Sequence, residues 1–366
     1  MRQFILLLAL FAACLLTCSG CCTASEVTTA QWDSLDTAEL ERAARASGAD
    51  LELEEGFTLQ KGLSQLGELL PRSLEEALAS ACRTGLVLLL AVLFSELTGV
   101  VGDLAGAGQR FSTIVGALTV TAVSAADVNA LMGLGRRAVD EIWTFSTLLI
   151  PVMTALSAAC GSFTGATGRQ VATFLFADTL VTLMDKVLLP MVYLYTAACV
   201  AASVTDNLGL EEVAKAVKAL VTTVLSALLL AFTGYLSLTS AAAAGVDAVT
   251  ARLTRSLISA MVPVVGGILA NATDTVLSGV GVLKGVVGTF GVVAVLGLGM
   301  SAFVQLGVQY LMYRMVSVLS QVLSGSRVAR LVGNIASAFA LVLGMTAASA
   351  LLVLISIFAT LSVAVG

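Results

Sequence analysis

From Ile335 to Val363 the chain runs without a charged residue, and the same is true from Ile142 to Cys160 and from Val286 to Gln305. About 20 apolar residues in a helix match the 30 Å hydrocarbon layer of a bilayer, so each run is long enough to cross one. Lipid offers backbone amides and carbonyls no partner, and a helix satisfies them within the segment itself. Composition agrees, with 58% of the 366 residues hydrophobic and 12% charged, where soluble domains carry about a quarter charged. The sequence therefore reads as an all-α, polytopic helical membrane protein.

Seven runs have the character of spans: 84–102, 112–133, 142–160, 171–204, 217–238, 286–305 and 335–363. The fourth is too long, because at about 1.5 Å per residue it would measure roughly 51 Å. Pro190 is its natural break, since proline removes an amide and clashes with the preceding turn. The expectation is thus seven or eight spans, and the sidedness of lysines and arginines leans toward eight. Two further segments are amphipathic and are expected at the membrane interface. In 246–262, Arg252, Arg255, Ser256 and Ser259 share a face; in 307–325, Gln309, Arg314, Ser317, Gln321 and Ser324 interrupt apolar residues.

Charge sets the N-terminal part apart. Residues 24–83 hold 12 acidic and 5 basic side chains, out of 24 and 19 in the whole chain. Asp36 with Glu39 and Ser73 with Glu76 have the spacing of helix N-terminal capping pairs, so 25–83 reads as a short, acidic, helical extracytoplasmic segment that runs into the first span. Ahead of it, Met1-Arg2, the apolar run Phe4 to Leu16 and the small residues Cys22-Thr23-Ala24 have the three parts of a signal peptide over 1–24. The stretch Cys18-Ser19-Gly20-Cys21 also resembles a lipoprotein cleavage site. The remaining divisions are a first group of transmembrane helices (84–245), an amphipathic helix followed by a Pro/Gly break and the Asp274 segment (246–285), and C-terminal transmembrane helices with an interfacial helix (286–366).

Several function classes are disfavoured. The chain has no histidine, the commonest metal ligand and the usual general base. Cys14, Cys18, Cys21 and Cys22 crowd the N-terminus, while Cys82, Cys160 and Cys199 are scattered without metal-ligand spacing. Neither a phosphate-binding loop nor a nucleophile elbow occurs. Without a basic block, nucleic acid is not an expected partner. The expectation is no enzyme, no metal and no cofactor.

Two polar stripes stand out. Asn271, Asp274, Thr275 and Ser278 are spaced i, i+3, i+4 and i+7, which places them on one helix face, and the face continues into Gly281, Gly285 and Gly288. In one reading Pro263 and Gly266-Gly267 end a helix, Asn271 caps the next, and Asp274 lies in its first turn, where the helix dipole favours an anion. In the other, the stripe is an assembly or pore face, with Arg252 or Arg255 as ion-pair partners of Asp274. The second stripe is Asp178, Thr182 and Asp185 with Lys186 beside it; internal ion pairing near a helix break and an ion path are its two readings. Glu96, Asp103 and Asp127 lie near span ends and are expected to reach the interface.

The segment Thr250 to Gly288, TARLTRSLISAMVPVVGGILANATDTVLSGVGVLKGVVG, resembles the stage III sporulation protein AE family of endospore-forming bacteria. The family's most recognisable stretch has an arginine-bearing amphipathic segment, an apolar-Pro-Val turn, Ala-Thr-Asp-Thr-Val-Leu-Ser and a lysine-containing small-residue run. Arg252 to Arg255, Val262 to Val264, Ala272 to Ser278, and Gly279 to Gly288 with Lys284 match these in turn. Gly56-Phe57-Thr58-Leu59, the Leu188-Leu189-Pro190 turn and a long closing hydrophobic helix follow the same order. The resemblance implies a multi-pass protein in the mother-cell membrane around the forespore, surrounded by lipid bilayer and open to forming a homo-oligomer. It also implies membership of a secretion or feeding channel complex with the other stage III A sporulation proteins, reaching the stage II protein Q on the forespore side indirectly. The family brings no catalytic residues. A secondary transporter using embedded carboxylates and a passive membrane scaffold are the competing expectations.

Overall fold

The computed structural model describes Arg42 and residues 59–104, 109–160, 163–205, 208–261, 266–324 and 327–362; of these, 68–69, 72, 99–104, 109–112, 163–166, 169, 208, 239–261, 266–280, 323–324 and 362 are described by backbone alone. The expected signal peptide, and all of 25–58 except Arg42, lie outside the described residues. Every element among the described residues is helical. They are α1 (Leu59–Leu104), α2 (Gln109–Ala159), α3 (Phe163–Leu183), a π-helical turn (Met184–Leu188), α4 (Leu189–Thr205), α5 (Leu208–Met261), α6 (Gly266–Ser324) and α7 (Arg327–Ser362).

Among the described residues, six helical stretches are long and apolar enough to cross a membrane: Ser73–Thr98, Thr113–Ala159, Gln170–Thr205, Gly209–Leu238, Gly281–Val322 and Arg327–Leu361. The runs 112–133 and 142–160, expected as separate spans, are one helix, α2. Arg136, Arg137, Asp140 and Glu141 interrupt its apolar character without breaking its backbone, because no proline or glycine lies between them and arginine and glutamate are strong helix formers. At 51 residues, α2 is about 76 Å long, more than twice the thickness of a hydrocarbon layer.

The expected break at Pro190 takes the form of a π-turn. Pro190 has no amide to give the Lys186 carbonyl, and its ring would press on that carbonyl in a regular α-helix. One turn of wider winding relieves this, with the Leu189 amide reaching back to the Met184 carbonyl, and the rod from Phe163 to Thr205 continues. Pro71 and Pro151 are carried inside α1 and α2, while α5 ends and α6 begins on either side of Pro263.

Successive rods alternate in direction. Gly116 approaches Val328 and Gly135 approaches Val342, so α2 and α7 run the same way; Gly288 meets Leu361 and Gly333 meets Ser317, so α6 runs against α7. Thr173 and Ser356 share a hydrogen bond of 2.6 Å, and the Tyr195 hydroxyl donates to the Asn334 carbonyl at 3.1 Å, which sets the α3–α4 rod against α7 as well. Phe176 packs at a tilt against Phe232 of α5, and Trp143 of α2 meets Phe174 edge-to-face, so aromatic contacts tie α3 to both neighbours. Many hydroxyls within the bundle donate to the carbonyl one turn back in their own helix, as Ser146, Ser157, Thr346 and Thr360 do, which satisfies them without a partner helix.

The core has two parts. One joins α1, α2, α3, α4, α5, α7 and the C-terminal half of α6, around Phe232, Tyr313 and Phe339. The other joins Phe145, Leu149 and Met153 of α2, Val287 to Leu298 of α6 and Val353 to Ile357 of α7. Leu66, 3% exposed, belongs to this second part, so the described end of the segment expected as extracytoplasmic, residues 59–83, is the first half of α1 and packs on the bundle. Helices run unbroken through residues 84, 246 and 286. The two segments expected as interfacial helices are likewise continuations of α5 and α6; in 307–325 the polar residues Gln309 and Ser317 are buried in the bundle instead of facing head groups.

Candidate functional site

The glycines that end the first stripe serve different neighbours. A Cβ on Gly288 would stand 2.7 Å from Leu361 Cδ2, and one on Gly291 would stand 2.5 Å from Leu149 Cδ2, so this part of the face is closed by α7 and α2. Glycine is what lets these leucine side chains seat directly on the α6 backbone. Gly285 is half-buried and accepts the Thr289 hydroxyl at 2.8 Å. At Gly281 no heavy atom of the described residues lies within 4 Å of the Cβ position. Lys284 between them is fully buried.

Helix α6 starts at Gly266. Asn271 is therefore inside the helix and does not cap it, and Asp274 lies beyond the first turn, since glycines 266 and 267 extend the helix instead of ending the preceding one. The side chains of Asn271, Asp274, Thr275, Ser278, Arg252 and Arg255 lie outside the described residues. Their backbone positions do not: from its contact with the end of α7, α6 continues back from Gly288 to Gly266, about 33 Å of helix, and α5 extends past Leu238 to Met261. The motif thus occupies two helices that reach beyond the end of α7.

The second stripe is divided as well. Asp178, Thr182 and Lys186 are exposed. Asp185, set in the π-turn, accepts Arg136 Nη2 of α2 at 2.9 Å, with the two side chains 28% and 56% exposed. The last acidic residue of this stripe, one turn after Thr182, thus meets a guanidinium from a neighbouring helix.

A further polar cluster was not anticipated. Asp127 Oδ2 accepts Gln309 Nε2 at 3.0 Å and the Tyr313 hydroxyl at 3.0 Å. Tyr313 is fully buried and sits edge-on to Phe339, with ring centroids 4.9 Å apart. Ser124, one turn before Asp127, is 1% exposed. Further along α6, Ser317 donates to the Ala329 carbonyl at 2.9 Å and accepts Gln321 Nε2 at 3.0 Å, which fastens α6 to the start of α7. Gln309, Tyr313, Ser317 and Gln321 are spaced by four, one face of α6. That spacing was the available signal, and a tyrosine within it implies a buried partner for its hydroxyl.

The family model of stage III sporulation protein AE matches residues 52–364. The chain belongs to that family. It is 25% identical over 191 residues to the stage III sporulation protein AE of Bacillus subtilis (strain 168), a match covering 52% of this chain and 48% of the relative; the matched stretch thus spans about half the relative's length. No solved structure matches the chain. This sporulation protein carries the stretch 250–288 on α5 and α6, the two helices that continue past the end of α7.

Proposed function

We propose that the protein is a non-enzymatic membrane subunit of a secretion or feeding channel between mother cell and forespore, seated in the mother-cell membrane and required for endospore formation. Its partners in this reading are the other stage III A sporulation proteins and, indirectly, the stage II protein Q, with a homo-oligomer as a further arrangement. The observation that carries the proposal is the position of the motif helices. Most of α6 and α7 is closed by intramolecular packing, while Arg252, Arg255, Asn271, Asp274, Thr275 and Ser278 lie on helices that continue past the end of α7, and Gly281 opens the small-residue face there. A face that combines polar and small residues suits contact with another helix or with water, because lipid rewards neither.

Replacing Asp274 by Asn and by Ala tests this. The expected result is loss of complex assembly and a fall of at least about tenfold in heat-resistant spores, with the protein still present in the membrane. Wild-type assembly and sporulation in both variants would remove Asp274 from the mechanism. The hydrogen-bonded Asp127 within the bundle favours a second reading, a secondary transporter using embedded carboxylates. Labelled solute uptake by proteoliposomes under an ion gradient would support it.

A further inference from the structure

We propose that Lys218 of α5 and Arg314 of α6 form a binding site for the phosphate headgroup of an anionic phospholipid, seated against the Gly333–Ser337 turn of α7. The proposal goes beyond the channel reading and does not depend on it. Geometry, charge and height in the bundle carry it.

Two long cationic side chains from different helices converge on one turn of α7. Lys218 Nζ donates to Ser337 Oγ at 3.0 Å, and Ser337 donates in turn to the Gly333 carbonyl at 3.3 Å. Arg314 Nη1 stands 3.7 Å from the position of a Cβ on Gly333. The two anchor points are one helical turn apart, about 6 Å, and the cations lie within electrostatic reach of each other. A phosphate can bridge such a gap, because its oxygens accept charge-assisted bonds at about 2.8 Å on either side. Arginine presents a two-pronged fork to it, and Lys218 keeps further N–H groups beyond the one given to Ser337.

Charge says what is needed there. Among the described residues neither cation has an acidic partner, since the ion pairs join Arg136 to Asp185 and Lys215 to Glu211 and Glu212. The carboxylates nearest to Lys218 in sequence are thus taken by Lys215, at 3.3 and 2.9 Å. Two neighbouring cations without an anion repel each other. Their setting is also apolar, with Leu311, Met315 and Val318 around Arg314 on α6 exposed to 59%, 61% and 52%. A phospholipid answers both features, its headgroup the cations and its acyl chains the leucine-rich face, whereas a soluble anion answers only the first.

Height agrees. Gly135 of α2 meets Val342, about 8 Å further along α7 than Ser337, and Arg136, Arg137, Asp140, Asp185 and Lys186 gather at that level. Charged side chains collect where a bundle passes from hydrocarbon to head groups, and the long stems of lysine and arginine reach for phosphates from there.

The test is thermal unfolding of the full-length protein in micelles of a neutral detergent that carry either dioleoylphosphatidylglycerol or dioleoylphosphatidylcholine at equal mole fraction and low salt. The anionic lipid is expected to raise the midpoint by at least about 2 °C over the zwitterionic one, as binding to the folded state requires. The rise should vanish in Arg314→Gln and in Lys218→Gln. It should persist in Lys218→Arg, which keeps the charge, and in Lys215→Gln, whose lysine is already paired. Equal midpoints in the two lipids would overturn the proposal and point to an acidic protein surface as the partner of the pair. A rise that both glutamine variants retain would overturn it by placing the lipid elsewhere. An equal rise from inorganic phosphate in the zwitterionic micelles would overturn it by making the ligand a soluble anion. Both side chains are exposed, and should one glutamine variant not fold, the other still decides.

Discussion

Helices α5 and α7 are both candidate spans of similar apolar character, yet 78% of the apolar stretch of α7 is buried inside the protein and 22% of that of α5. The difference lies in side-chain size and in what surrounds each helix. Along α7, Gly333, Ala336, Ala338, Ala348 and Ala350 are all buried, and α2, α3, α4, α5 and α6 pack around them. Along α5, Leu220, Leu230, Tyr235 and Leu238 point away from the bundle, with Leu230 74% and Leu238 75% exposed. A leucine is equally comfortable in lipid and in a protein interior. Apolarity therefore places a helix in the membrane without saying which of its faces meets protein, and small residues carry that second message.

The largest expected effect comes from the buried helix. Phe339 is fully buried and supports Tyr313 edge-on, so Phe339→Ala should cost about 3 to 5 kcal/mol by leaving a cavity, while Leu230→Ala on α5 should stay within about 0.5 kcal/mol. Detergent unfolding curves of the two variants check this. Equal losses would mean that α5 is covered by protein as thoroughly as α7.

A smaller but cleaner contrast uses glycine. A Cβ at Gly333 would fall 2.6 Å from Ser317 Oγ, whereas among the described residues nothing lies within 4 Å of the corresponding position at Gly234 of α5. Gly333→Val should lose about 1 to 3 kcal/mol by overpacking and disturb the Ser317 to Ala329 bond, with Gly234→Val near neutral. Size-exclusion profiles and unfolding midpoints separate the two, and indistinguishable variants would break the comparison.

Helical membrane class followed from runs such as 335–363, because run length and bilayer thickness are both known in advance. Span count did not, because Arg136 to Glu141 looks like a loop by charge and is a helix by propensity. Pro190 marked the disturbance in the fourth run, but proline chemistry leaves open whether the chain breaks or rewinds, and the π-turn rewinds it. Asp127 appeared to belong at an interface because span ends were drawn from hydropathy. Its partners Gln309 and Tyr313 are more than 180 positions away in sequence, and pairing across such a separation leaves no local trace beyond the polar face of α6. The stripe at Asn271 to Ser278 follows from spacing, and the structure carries it on α6, beyond the end of α7.

The smallest expected effect is also the one that bears on where the bilayer lies. The stretch Thr113–Ala159 of α2 has 47 residues and is about 70 Å long, so a hydrocarbon layer near 30 Å leaves more than half of it outside. Arg136 and Asp185 meet part-way along this length, with Arg137, Asp140 and Lys186 exposed close by in sequence. If that level is wet, water screens the pair and a double-mutant cycle on Arg136→Ala and Asp185→Ala should return a coupling below about 1 kcal/mol. If lipid surrounds it, the alternative to pairing is an isolated charge in a low dielectric, and the coupling should exceed about 2 kcal/mol. The cycle measured in lipid nanodiscs therefore reads the dielectric at one height of the bundle. We expect the lower value, which would set a membrane surface near residue 136 of α2 and require that part of the exposed apolar side chains on one side of it be covered by protein and not by lipid.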